Sequence, residues 1–183
     1  MKKLALLQDL SARTQQFIAE ASRFKSLPLE ALNSKPTSTS WSVLECLEHL
    51  NLYGDFYLDE LKKRIDNAPQ DLNDHDFKSG WFGEKTVTDM LPKDDKVKKM
   101  KTFKSKTPDA SKLSKSTIDR FISQQQQMIA LFEFAEKVNL SKVKTKLTLP
   151  MLRFKLGTTL RFVVYHNQRH IWQANRALNI VTD

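Results

Sequence analysis

Two histidines, His166 and His170, stand four residues apart in "VVYHNQRHIWQANRA", residues 163–177. On a helix, residues i and i+4 lie one turn apart on the same face. Both imidazoles can then be aimed at one ion. The same spacing also serves hydrogen-bonded core residues and surface residues, so it does not decide alone. The neighbours add weight. Phe162, Val163, Gln173 and Ala177 share the stripe, and much of it is apolar. The pair therefore faces inward or toward a cleft, where imidazoles without partners are costly.

A third histidine, His49, lies in "WSVLECLEHLNLY". Leu44, Leu47, Leu50, Tyr53 and Phe56 surround its face, so it too can point to the core. His75, in the polar "NDHDF", reads as an exposed loop residue. One inward histidine on one helix and an i, i+4 pair on another can form a three-histidine metal site. Imidazole suits Zn, Ni, Cu and Fe. Three protein ligands leave a position open, as catalytic zinc sites do. An ion held so can lower the pKa of a water and polarise an electrophile.

Other residues nearby have two readings each. Glu45 precedes His49 by one turn and can orient a ligand or act as a general base; it can equally close a capping box with Ser42. Gln173, one turn past His170, can hydrogen-bond a ligand or line a pocket. Tyr53 can donate its hydroxyl to a bound oxyanion, or serve as a core aromatic. Cys46 sits by a helix start, which favours a thiolate, but it lies well around the helix from His49 and reads better as a small buried residue. Arg169 points away from the histidine face and reads as an ion-pair or interface residue. Trp81 and Phe82, between Gly80 and Gly83, can lid the pocket or cover an exposed end of the molecule.

These residues need helices to hold them. Leu4, Leu7, Leu10, Thr14, Phe17, Ile18, Ala21 and Phe24 recur at helical spacing and predict a first helix over 3–26. "SLPLEALNSKPTSTSW" reads as a connection. A second helix starts after Ser42 and ends near 66–69. Residues 67–112 lack sustained periodicity and should wrap the helices, with a short helix near 83–91. Ile118, Phe121, Gln125, Met128, Phe132 and Ala135 mark a third helix, and 157–179 the last. "KTKLTLPM" alternates like a strand, but Pro150 limits it to an edge or an extended connection. The expected fold is all-α: a four-helix bundle with a long connection between helices 2 and 3, as a single domain over 1–183.

"WSVLECLEHL" together with "FVVYHNQRHIWQANRAL" resembles the metal-binding DinB-like superfamily, which includes the YfiT-like proteins. Trp41 and Ser42 match the family's helix start, and His49, His166, Arg169, His170 and Gln173 match its later motifs. The middle segment, from "FKSGWFGEKTV" to "VKKMKTFKSKTP", resembles one branch of that family. The resemblance implies the bundle and a divalent transition metal on His49, His166 and His170, with Zn or Ni first and Mn or Fe after them. It implies activity only broadly, since such proteins include thiol S-transferases, an isomerase and hydrolases.

The chain carries a net charge of +9. Much of the excess lies in the lysine-rich run 93–115, which reads as a solvated connection or as a grip on nucleic acid or another acidic partner. It lacks regularly interleaved aromatics, which weakens a stacking mode on nucleic acid. A lone cysteine implies no disulfide, and no segment is long enough to span a bilayer, so a cytoplasmic chain without membrane contact is expected. The reading is a metal-dependent enzyme, of thiol-transferase or hydrolase type, acting on a small molecule. Spare apolar residues such as Ile171 and Trp172 could serve a homodimer.

Overall fold

The computed structural model describes residues 1–92, 100–110 and 113–182. The chain is mostly helical. Its helices are α1 (Lys3–Lys25), α2 (Leu29–Asn33), α3 (Val43–Asp66), α4 (Trp81–Thr88), α5 (Lys115–Ala135) and α6 (Leu156–Thr182). A 3-10 turn spans Lys104–Lys106, and two short strands, β1 (Lys144–Lys146) and β2 (Arg153–Lys155), precede α6. The long helices pack side by side: α1 and α3 each lie against both α5 and α6. No helix among the described residues is long and apolar enough to cross a membrane.

On α1, Leu6, Leu7, Leu10, Thr14, Phe17, Ala21 and Phe24 are buried. Leu4, expected in that stripe, is exposed, and Leu6 and Lys3 take the inward positions. A buried lysine needs acceptors. Lys3 finds them in the Asp71 carbonyl at 3.0 Å and the Glu136 carbonyl at 2.6 Å. Glu136 caps α5, where carbonyls lack helical partners and the dipole favours a cation.

The start of α3 is fixed as its sequence predicts. Ser42 Oγ accepts from the Glu45 N–H at 3.2 Å, and Glu45 Oε2 accepts from the Ser42 N–H at 2.9 Å. The other Glu45 oxygen binds Lys35 Nζ at 2.6 Å. This box sets the register that carries His49 inward.

The connections hold more structure than their composition suggests. The stretch after α1, read as a plain connection, contains α2, because Leu32 is fully buried and Pro28 starts the turn at φ −59°. The helix expected near 83–91 lies at Trp81–Thr88. It approaches α6 closely at Gly83, where a Cβ would stand 2.9 Å from Thr158 Cγ2. Glu84 and Arg161 tie the same two helices at 2.8 Å.

The strand-like "KTKLTLPM" does form a strand, and it pairs antiparallel with β2, Thr145 opposite Phe154. The partner "RFK" gave no alternation long enough to be read. Of the lysine-rich run, residues 93–99 and 111–112 lie outside the described residues. Ile171 is core, whereas Trp172 is half-buried under the Arg176 guanidinium. Those two residues therefore do not form one spare apolar face.

Ser42→Ala should cost about 1 kcal/mol of unfolding free energy, because an N-cap acceptor and half of the capping box are lost. Urea denaturation checks this; an unchanged midpoint would mean that the box does not hold α3.

Candidate metal centre

His49 projects from the second turn of α3, and His166 and His170 from the middle of α6. All three are buried, at 3%, 7% and 7% exposure. One ligand atom from each lies within 4.8 Å of the others. The three imidazole centroids are 4.6 to 5.1 Å apart, with every pair of rings edge-on. His75 is elsewhere, exposed and bonded to Asp71.

Each ring has two nitrogens, and the partner of one determines what the other can do. His49 Nδ1–H donates to the Lys106 carbonyl at 2.7 Å. His170 Nδ1–H donates to Gln173 Oε1 at 2.9 Å. The lone pairs on Nε2 of both rings are thereby left for the centre. His49 Nε2 stands 3.3 Å from His166 Nε2. Two N–metal bonds of about 2.0–2.1 Å at a tetrahedral angle would separate their nitrogens by about 3.3–3.4 Å. The donor set and this separation fit a divalent transition ion, which the group could hold.

The surroundings keep the rings neutral. Burial pushes the His49 pKa down to about 4, helped by the nearby Lys106 and Arg169 charges and opposed by the bond to the Lys106 carbonyl. Burial also lowers His166 and His170 well below the usual imidazole range, with Arg169 and the neighbouring histidines adding to it. A neutral imidazole is the form that binds metal.

Aromatic rings enclose the group. Trp41 stacks obliquely on His49 at 4.8 Å and His170 at 5.7 Å. Tyr53 meets His49 and His166 edge-on at 5.0 and 4.7 Å. Phe162 stacks on His166 at 5.9 Å. Burial pushes the Tyr53 phenol up to about 12, so it stays a neutral donor. Lys106 lies beside the group: its ammonium binds the Leu52 carbonyl and lies 5.4 Å from the Tyr53 ring centre.

A family model described as the DinB superfamily matches residues 12–174. The chain belongs to the DinB superfamily. No curated protein and no solved structure matches it.

In this DinB chain the structure brings His49, His166, His170, Gln173 and Tyr53 together. It does not bring Glu45 to them. Both Glu45 oxygens are engaged, one by Ser42 and one by Lys35. Cys46 is fully buried, and burial raises its thiol pKa far above the usual range, so it is a packing residue. Arg169 departs from expectation: it is 6% exposed and its charge acts on all three histidines.

Trp81 is 81% exposed and Phe82 packs on Phe154, so neither ring covers the histidines. Trp41 does so instead. Its place at the start of α3 was visible in the sequence, but its direction was not. Lys106 carried no local signal, since it is one lysine in a run.

The lowered imidazole pKa values set the pH dependence of the metal-free protein. Between about 6.5 and about 4 the unfolded chain binds more protons at His49 than the folded one does. The His49 contribution to stability should therefore be complete just above that window and fall as pH drops through it. Urea midpoints across the window measure this, and a flat profile would mean that the rings are hydrated.

Proposed function

We propose that this chain is a metal-dependent enzyme that acts on a small molecule at a centre formed by His49, His166 and His170. The observation that carries this reading is the burial of three imidazoles with their ligand atoms within 4.8 Å of one another. We read the four long helices as a four-helix bundle of DinB type, and residues 1–183 as one domain. The nitrogen donor set suits zinc or nickel first and manganese or iron after them. When bound, such an ion supplies Lewis acidity toward a thiol, a water or a carbonyl group. Thiol transfer and hydrolysis are the reaction classes this chemistry serves.

The chain's own residues divide the remaining work. The Lys106 carbonyl and the Gln173 amide oxygen hold the His49 and His170 rings in the tautomer that turns Nε2 inward. Trp41, Tyr53 and Phe162 exclude water, which strengthens every electrostatic interaction inside. Tyr53 keeps its proton and can donate it in a hydrogen bond to an oxygen of the substrate. Glu45 holds the α3 start, with one oxygen on the Ser42 N–H and the other on Lys35, so we read its role as structural.

The other reading, a module without chemistry that grips nucleic acid or an acidic partner through 93–115, loses Lys106, which is turned into the site.

Elemental analysis of untagged protein should find about one transition-metal ion per chain. His166→Ala and His170→Ala should each abolish it while circular dichroism stays helical; full metal content in both variants would refute the centre. Gln173→Ala should weaken metal affinity roughly 10–100-fold in chelator competition, the usual effect of removing a partner that orients a ligand. Screening the loaded protein with thiol donors and simple esters tests catalysis, and a full centre with no turnover would reduce the protein to a metal carrier.

A further inference from the structure

The hairpin before α6 carries a charge pattern that the fold neutralises only in part. In its register, Lys144 faces Lys155 and Lys146 faces Arg153. Thr145 and Phe154 turn inward and are buried, so the four cations share the outer face. Like charges directly opposite one another destabilise a strand pair. Among the described residues, Lys144, Lys146 and Arg153 have no ion pair. Lys155 reaches only the Lys78 carbonyl at 2.8 Å. Glu60, beside β1, accepts from the Lys146 backbone N–H at 2.6 Å, is paired with Arg64 and also feels the Lys146 charge, so it offsets that cation in part.

The turn between the strands is apolar where a surface turn is ordinarily polar. Leu149 and Leu152 are exposed, and Met151 is completely so. Met151 also adopts φ 66°, a left-handed conformation that a non-glycine residue seldom takes. The fold thus accepts an unfavourable backbone at Met151 and buries nothing by it. Two contacts join the hairpin to the start of α4. One is the Lys155–Lys78 bond, and the other is the Phe82 ring at 5.8 Å from Phe154. Beside Phe82 stands Trp81, 81% exposed.

We propose that the hairpin Lys144–Lys155, with Trp81 and Phe82, is a docking surface for an anionic lipid bilayer. Cations would lie at the phosphate level, and Leu149, Met151 and Leu152 would enter the acyl boundary, as interfacial elements do. Trp81 has the amphipathic ring favoured at that depth. A second copy of the chain does not fit, because two such cationic faces repel. Nucleic acid would match the cations but would leave the aliphatic turn in water. The contact is peripheral and agrees with the absence of a spanning helix among the described residues. It is independent of the histidine centre, since it uses none of its residues.

The test is co-sedimentation of the whole protein with phosphatidylcholine vesicles, with and without phosphatidylserine, beside retention on duplex DNA and single-stranded RNA at the same salt. Wild type should bind the anionic vesicles, lose them as salt rises, and ignore neutral ones. Lys146→Glu should lower vesicle binding about thirtyfold, since one cation is lost and an anion gained at about 1 kcal/mol each near the surface. The same variant places opposite charges across the strands and a carboxylate near Glu60, two opposed effects, so its melting temperature should change little. Met151→Asp should lower vesicle binding similarly with no change in melting or metal content. Wild-type binding retained by both variants, no binding to anionic vesicles, or retention by nucleic acid in preference to vesicles would overturn the proposal.

Discussion

Placing three imidazoles side by side in the interior is the constraint on which the rest of this structure depends. A buried polar ring must have its hydrogen-bonding nitrogens satisfied, and a buried charged ring would be far costlier. For His49 and His170 the chain meets both demands with uncharged acceptors. The Lys106 carbonyl and the Gln173 amide oxygen take the outer N–H groups of His49 and His170. The inner nitrogens then face one another, with His49 Nε2 and His166 Nε2 within hydrogen-bond distance at 3.3 Å, an arrangement well suited to an ion. Each nearby helix and connection can be understood by what it does for that cluster.

The helices contribute register. His166 and His170 share a face because four residues make about one helical turn. His49 reaches them because the Ser42–Glu45 box fixes where α3 begins, at Val43, six residues before it. Glu45 therefore acts at a distance, through the position of the helix, and its carboxylate is occupied by that task. The connections contribute closure. The Lys104–Lys106 turn comes from a segment far from α3 in sequence, yet it supplies the His49 acceptor and a cation over Tyr53. Trp41, just before α3, packs on the His49 and His170 rings.

Charge is distributed unevenly over the molecule. Around the histidines the charged groups are the cations Arg169 and Lys106, both of which hold the rings neutral. Further along the chain, the hairpin sets four cations on one face with an exposed aliphatic turn. The excess of positive charge is thus used in at least two ways, one inside the site and one at the surface. The lysine-rich run does not account for all of it.

Much of this was legible without coordinates. Helical spacing on α1, α3, α5 and α6, the capping box, and the i, i+4 histidines are local properties, set by residues within a few turns of one another. The inward direction of His49 followed from its apolar neighbours for the same reason. What sequence could not supply was every contact between segments distant along the chain. Lys106 in the site, Arg169 buried beside it, Trp41 rather than Trp81 against the rings, and "RFK" as a strand all depend on how helices and connections pack. Their local sequences fit several environments equally well. Periodicity determines which face of a helix turns inward; only tertiary packing decides what that face meets, because the partners arrive from dozens of residues away.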